Sequence, residues 1–117
     1  MAEWFAVAIG GALGASVRYG VALWLGFGMR STLPVNLLGA LLVGFVYPTL
    51  SQKSGLPALF ILTGFLGGLT TFSAMTLEGV GAGRDPLLAG WVYTFLSVGA
   101  GLALAKGGLF LAGVFSK

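Results

Sequence analysis

Leu56-Pro57-Ala58-Leu59-Phe60-Ile61-Leu62-Thr63-Gly64-Phe65-Leu66-Gly67-Gly68-Leu69-Thr70-Thr71-Phe72-Ser73-Ala74-Met75-Thr76-Leu77 carries no charge and is stopped only by Glu78. A hydrocarbon layer of ~30 Å divided by the 1.5 Å rise of an α-helix asks for roughly 20 mostly apolar residues, which this run supplies. Three further runs do the same. The first extends from Trp4 to about Phe27, interrupted only by Arg18, and closes on Gly26-Phe27-Gly28 ahead of Arg30. The second spans Leu33 to Leu50, with Pro34 in its expected first turn, where a missing N–H costs little. The fourth starts after Pro86, stays uncharged from Leu87 to Ala105, and meets Lys106 before an apolar tail to Phe115. The sequence therefore predicts an all-α membrane protein. A single four-helix transmembrane domain covers 1–117, with spans near 4–27, 33–50, 56–77 and 87–106. The connections at 30–32, 51–55 and 79–86 are too short to hold a domain.

Composition agrees. The chain of 117 residues is 57% hydrophobic and 8% charged, whereas soluble domains carry roughly 25% charged residues. Nine charges cannot cover a soluble surface, and 21 glycines would weaken a soluble bundle, whereas in lipid they let backbones approach closely. The net charge of +3 comes from cations scattered singly, with no basic patch, so nucleic acid is not an expected partner. With no cysteine and no histidine, disulfides, thiolate metal sites and imidazole bases are excluded. Met1-Ala2-Glu3-Trp4 lacks the basic start of a secretory signal, and Arg18 interrupts the run behind it, so the first stretch reads as mature protein.

An even number of spans puts both termini on one side, with Lys53 and Lys117 there and Arg30 and Arg84 opposite. The positive-inside bias is then close to zero, and insertion in both orientations is one reading; Lys106 tipping the balance is the other. No internal repeat is visible, so a transport pathway in so small a chain calls for a second copy.

The third run mixes small, hydroxylated and aromatic residues at mid-span. Gly67 and Gly68 weaken the helix, and Thr70, Thr71 and Ser73 offer hydroxyls to freed backbone groups, a combination tolerated at membrane depth inside protein or beside water. An unwound segment would aim carbonyls at a cation. The alternative is packing, with Gly64 and Gly68 as a GxxxG pair and the hydroxyls bonded to their own helix. Thr32 and Asn36 share one face of the second helix; the Asn36 NH2 is a donor suited to an anion, or to a neighbouring helix. Arg18, far from both helix ends, is expensive unless it faces a wet cavity or snorkels. Tyr93, Ser97 and Gly101 make a polar stripe on the fourth helix, fit for a wet path or a helix contact. Gly10 and Gly14 read as packing, and Trp4, Trp24 and Trp91 as interfacial anchors.

Gly10-Gly11-Ala12-Leu13-Gly14-Ala15-Ser16-Val17-Arg18-Tyr19, Thr32-Leu33-Pro34-Val35-Asn36-Leu37-Leu38-Gly39 and the block from Gly64 to Ser73, in this order and spacing, resemble the CrcB-type fluoride channels, the Fluc family. The resemblance implies a third helix broken at mid-membrane and an antiparallel dual-topology homodimer in the bacterial inner membrane. It also implies passive fluoride export through two pores and a structural sodium ion, Na+, at the dimer interface. By position, Asn36 and Phe72 match the family's pore asparagine and first pore phenylalanine, and Arg18 its vestibule arginine. Gly67 and Thr70 match the residues whose backbone carbonyls hold sodium. Thr32, Ser73, Thr76, Tyr93 and Ser97 fall on its polar track. Met75 stands where the family usually has a second phenylalanine, so a ring edge is missing there.

A small multidrug exporter, the nearest rival, needs a membrane-embedded carboxylate, and Glu3, Glu78 and Asp85 all read as helix-end or loop residues. A non-transporting assembly subunit would leave Asn36 and Arg18 without a purpose. No nucleophile and base pair is available for an enzyme.

Overall fold

The computed structural model describes residues 1–52, 55–81 and 86–115, all helical apart from short turns. Helix α1 is Ala2–Leu25 and α2 is Met29–Ser51. The third span is composite: α3 (Leu56–Ala58), a π-helical stretch Leu59–Leu66, α4 (Gly67–Leu69) and, after an interruption, α5 (Phe72–Gly81). Helix α6 is Pro86–Phe115. Four segments are long and apolar enough to cross a membrane: Ala2–Leu25, Met29–Ser51, Leu56–Gly81 and Gly90–Phe115. Lys53, Arg84, Asp85 and Lys117, which enter the charge tally and the list of acids, lie outside the described residues.

The turn between α1 and α2 is shorter than the sequence suggests. Gly26 and Gly28 both adopt φ 92°, a left-handed conformation open to glycine, and this reverses the chain within three residues. The Gly28 carbonyl then accepts the N–H groups of Ser31 and Thr32 and the Ser31 hydroxyl. Helix α2 thus begins at Met29, placing Pro34 beyond its first turn and burying Ser31 and Thr32. At the other end of the chain, Lys106 does not stop α6, which continues to Phe115.

Glycines set the packing. A Cβ built on Gly14 would overlap the Phe65 carbonyl, and one on Gly10 the Phe60 carbonyl. From the facing side, one on Gly68 would overlap the Gly11 carbonyl, so α1 and the third span touch backbone to backbone. Gly44 and Gly108 play the same part between α2 and α6, where a Cβ would strike the carbonyls of Ala105 and Leu41. Gly79 and Gly90 bring α5 against α6. The small apolar core, Val35, Leu66 and Leu69, lies where α1, α2 and the third span converge. Large apolar side chains such as Trp4, Trp24, Phe95 and Phe110 stay outside, as the solvent of a membrane domain permits.

Candidate functional site

The third span's helical ladder stops at Leu69. Thr70 takes φ −85°, ψ 152°, an extended conformation, and α5 starts only at Phe72. Backbone groups freed in this way need partners. Asn36 of α2 supplies both for Thr71: its Nδ2 donates to the Thr71 carbonyl at 2.9 Å, and its Oδ1 accepts the Thr71 N–H at 2.8 Å. Thr71 then caps α5, its Oγ1 accepting the Ala74 N–H at 3.2 Å, the bond an N-cap residue makes with the third residue of a helix. From α1, Arg18 Nε donates to the Gly68 carbonyl at 3.3 Å. Arg18, expected at a mouth, is thus tied to the interruption by one N–H; its other donors bond nothing among the described residues.

Thr32, Tyr93 and Glu78 form a second polar group. The Thr32 hydroxyl donates to Glu78 Oε1 at 2.5 Å and the Tyr93 hydroxyl to Oε2 at 2.9 Å. One carboxylate thereby bridges α2 and α6, and the shorter of its two bonds, from Thr32, lies in the range of charge-assisted bonds. Glu78 is the residue the sequence undervalues. It ends an apolar run there, whereas the structure sets it inside α5 and partly buried. The weak signal is its place two turns after the Thr70-Thr71 pair.

Several other candidate hydroxyls are already committed to their own helices. Thr70 donates to the Leu66 carbonyl at 2.9 Å, Thr76 to Ser73 at 2.9 Å and Ser97 to Tyr93 at 2.7 Å. Ser97 is buried and Gly101 faces Ala40 of α2, so this part of the α6 stripe is a helix contact. Thr71 and Ser73 share one bond at 3.2 Å, leaving one hydroxyl hydrogen between them. Phe72 and Met75 differ sharply: Phe72 is 67% exposed, whereas Met75 is 5% exposed and packs inside the chain. An open cleft of about 380 Å³ between α2 and the third span is lined by Asn36, Gly39, Leu66, Gly67 and Thr70, among others. It gathers both residues expected at a cation and the residue expected at an anion.

Four spans, close glycine packing and polar groups converging on an interrupted third span define a multi-pass membrane protein. Residues 5–109 match the family described as CrcB-like protein, Camphor Resistance (CrcB), and the chain belongs to it. A protein of Dichelobacter nodosus named Fluoride-specific ion channel FluC is 38% identical over 122 residues, 96% of this chain and 98% of its own length. Proteins of the same name from Rhizobium leguminosarum bv. trifolii and Cereibacter sphaeroides are 37% and 42% identical. Each match covers 88% of this chain, and 90% and 88% of those proteins respectively.

Proposed function

We propose that this chain is a fluoride-selective channel of the bacterial inner membrane, an antiparallel homodimer with two pores that exports the anion passively. It is a channel and no enzyme. The observation that carries the reading is that donors left over among the described residues lie at and beside one break in the third span. The second Nδ2 hydrogen of Asn36, the spare hydroxyl hydrogen of the Thr71–Ser73 pair and the exposed ring of Phe72 all belong to the interruption at Thr70-Thr71. The names of the relatives supply the anion.

Fluoride holds water tightly, so a narrow pore of low dielectric must replace lost hydration with fixed donors. An amide N–H, a hydroxyl and the positive edge of a ring do so with partial charges, which keeps binding weak enough for exit. Chloride is larger and needs a wider opening. Glu78 holds the hydroxyls of Thr32 and Tyr93 at rest, and these join the path when the carboxylate gives them up. Thr76 and Ser97 likewise act only if their hydroxyls turn from their own helices, and Met75 backs the pore from inside the subunit. The Arg18 N–H groups that bond nothing among the described residues draw anions toward the interruption.

The break at Thr70 lies at mid-depth in this reading, and Gly67 and Thr70 would hold a sodium ion there, between two subunits. The residues fit such an ion: Gly67 and Thr70 line the open cleft, α4 ends there with its carbonyls, and helix C-terminal ends with unwound carbonyls suit a monovalent cation. When bound, sodium would supply positive charge and a structural link. Fluoride efflux from liposomes carrying the purified protein tests the function. Release well above protein-free vesicles is expected; release at their level would refute it.

A further inference from the structure

The side chain of Thr70 has no freedom left. Its hydroxyl donates to the Leu66 carbonyl at 2.9 Å, and the same oxygen accepts the Thr70 N–H at 3.1 Å. Its methyl lies over the α carbon of Gly39, so close that a Cβ at Gly39 would overlap Thr70 Cγ2. Outside its own helix, and among the described residues, the only other atom such a Cβ would meet within 4 Å is Thr70 Cβ at 3.8 Å. With hydroxyl and methyl both seated, χ1 is fixed. What Thr70 can offer the cleft is its main-chain carbonyl, which ψ 152° turns out of the helical direction. Asn36, one turn before Gly39 on the same buried face of α2, holds Thr71. Helix α2 thus fixes both residues of the interruption, one by hydrogen bonds and one by a missing methyl group.

We propose that Gly39 is a positioning residue of the cation half-site: by leaving room for the Thr70 methyl it sets the direction of the Thr70 carbonyl. The inference rests on the cation reading above. Alanine at 39 must displace the methyl. Rotating χ1 breaks the bond to Leu66 and shifting the backbone moves the carbonyl, so either response disturbs the half-site. Serine at 70 keeps the hydroxyl and has no methyl, so it should accept alanine at 39.

The test compares wild type, Gly39→Ala, Thr70→Ser and the double variant, each purified in N-methylglucamine and titrated with sodium. Dimer melting temperature is the readout, with fluoride efflux in parallel. Gly39→Ala should raise the sodium concentration for half effect ~10-fold or more, as expected of a methyl forced into a packed site. Thr70→Ser should stay near wild type, and the double variant should return to within about twofold of it. A double variant as weak as Gly39→Ala would overturn the proposal, because Gly39 would then serve something other than Thr70, such as packing against a second subunit. An unshifted Gly39→Ala would overturn it as well. A wild type indifferent to sodium would instead overturn the cation reading, and the lock would have no site to serve.

Discussion

Asn36→Asp separates the two tasks assigned to the amide. Asparagine both donates to and accepts from the Thr71 backbone, at 2.9 and 2.8 Å. Aspartate keeps the acceptor and loses the donor, so the Thr71 carbonyl faces a second oxygen; an unpaired partner of this kind costs about 1–3 kcal/mol. Asn36→Leu strands both Thr71 groups and should cost roughly twice as much. For the anion the order reverses. Two unit charges ~4 Å apart at an effective dielectric near 20 repel by about 4 kcal/mol, which lowers fluoride occupancy ~10³-fold. Aspartate should therefore stop flux with the smaller loss of stability, and leucine should lose more stability while retaining more flux. Thermal melting of the detergent-solubilised dimer and fluoride-electrode efflux from liposomes measure the two. Flux above about a tenth of wild type in a folded Asn36→Asp dimer would show that the pore runs elsewhere.

Phe72→Ile keeps bulk and removes the ring edge, so efflux should fall at least ~10-fold while the melting temperature, set by residues less exposed than Phe72, stays put. Met75→Phe, which the family pattern alone would class as harmless, forces a ring into a position 5% exposed and should destabilise the protein by about 1–3 kcal/mol in denaturation. Glu78→Ala leaves the hydroxyls of Thr32 and Tyr93 without their acceptor and should cost ~1–3 kcal/mol, about half of it recovered in Glu78→Gln, whose one amide oxygen replaces one of the two carboxylate oxygens. Gly14→Ala should lower the melting temperature severely because the new methyl meets the Phe65 carbonyl, whereas Gly20→Ala, with no described residue beyond its own helix within 4 Å, should not. Equal melting of these two variants would contradict backbone contact between α1 and the third span.

The four spans are legible in the sequence because the length of an apolar run is a local property that the bilayer converts directly into a helix. Their ends are less so. Pro34 suggests a helix starting near Leu33, but two glycines at φ 92° turn the chain early and start α2 at Met29. Asn36 and Arg18 announce themselves by their cost in a membrane. That Asn36 spends its amide on Thr71, 35 residues away, is a tertiary fact with no local signature. Glu78 was hidden by a similar cause, since an acid at the end of an apolar run looks solvated until α2 and α6 bring Thr32 and Tyr93 to it. The choice between a hydroxyl that bonds its own helix and one that faces a pathway likewise depends on a rotamer, which spacing does not specify.

The central claim, selective passive conduction of fluoride, is tested most directly by paired efflux measurements on one liposome preparation. Vesicles loaded with equal potassium fluoride and potassium chloride are released by a potassium ionophore, and both anions are followed with ion-selective electrodes. Fluoride should leave rapidly, driven by its gradient alone and only when the ionophore balances its charge, with chloride retained at the level of protein-free vesicles. Chloride leaving alongside fluoride, or fluoride staying inside with the ionophore present, would contradict the account.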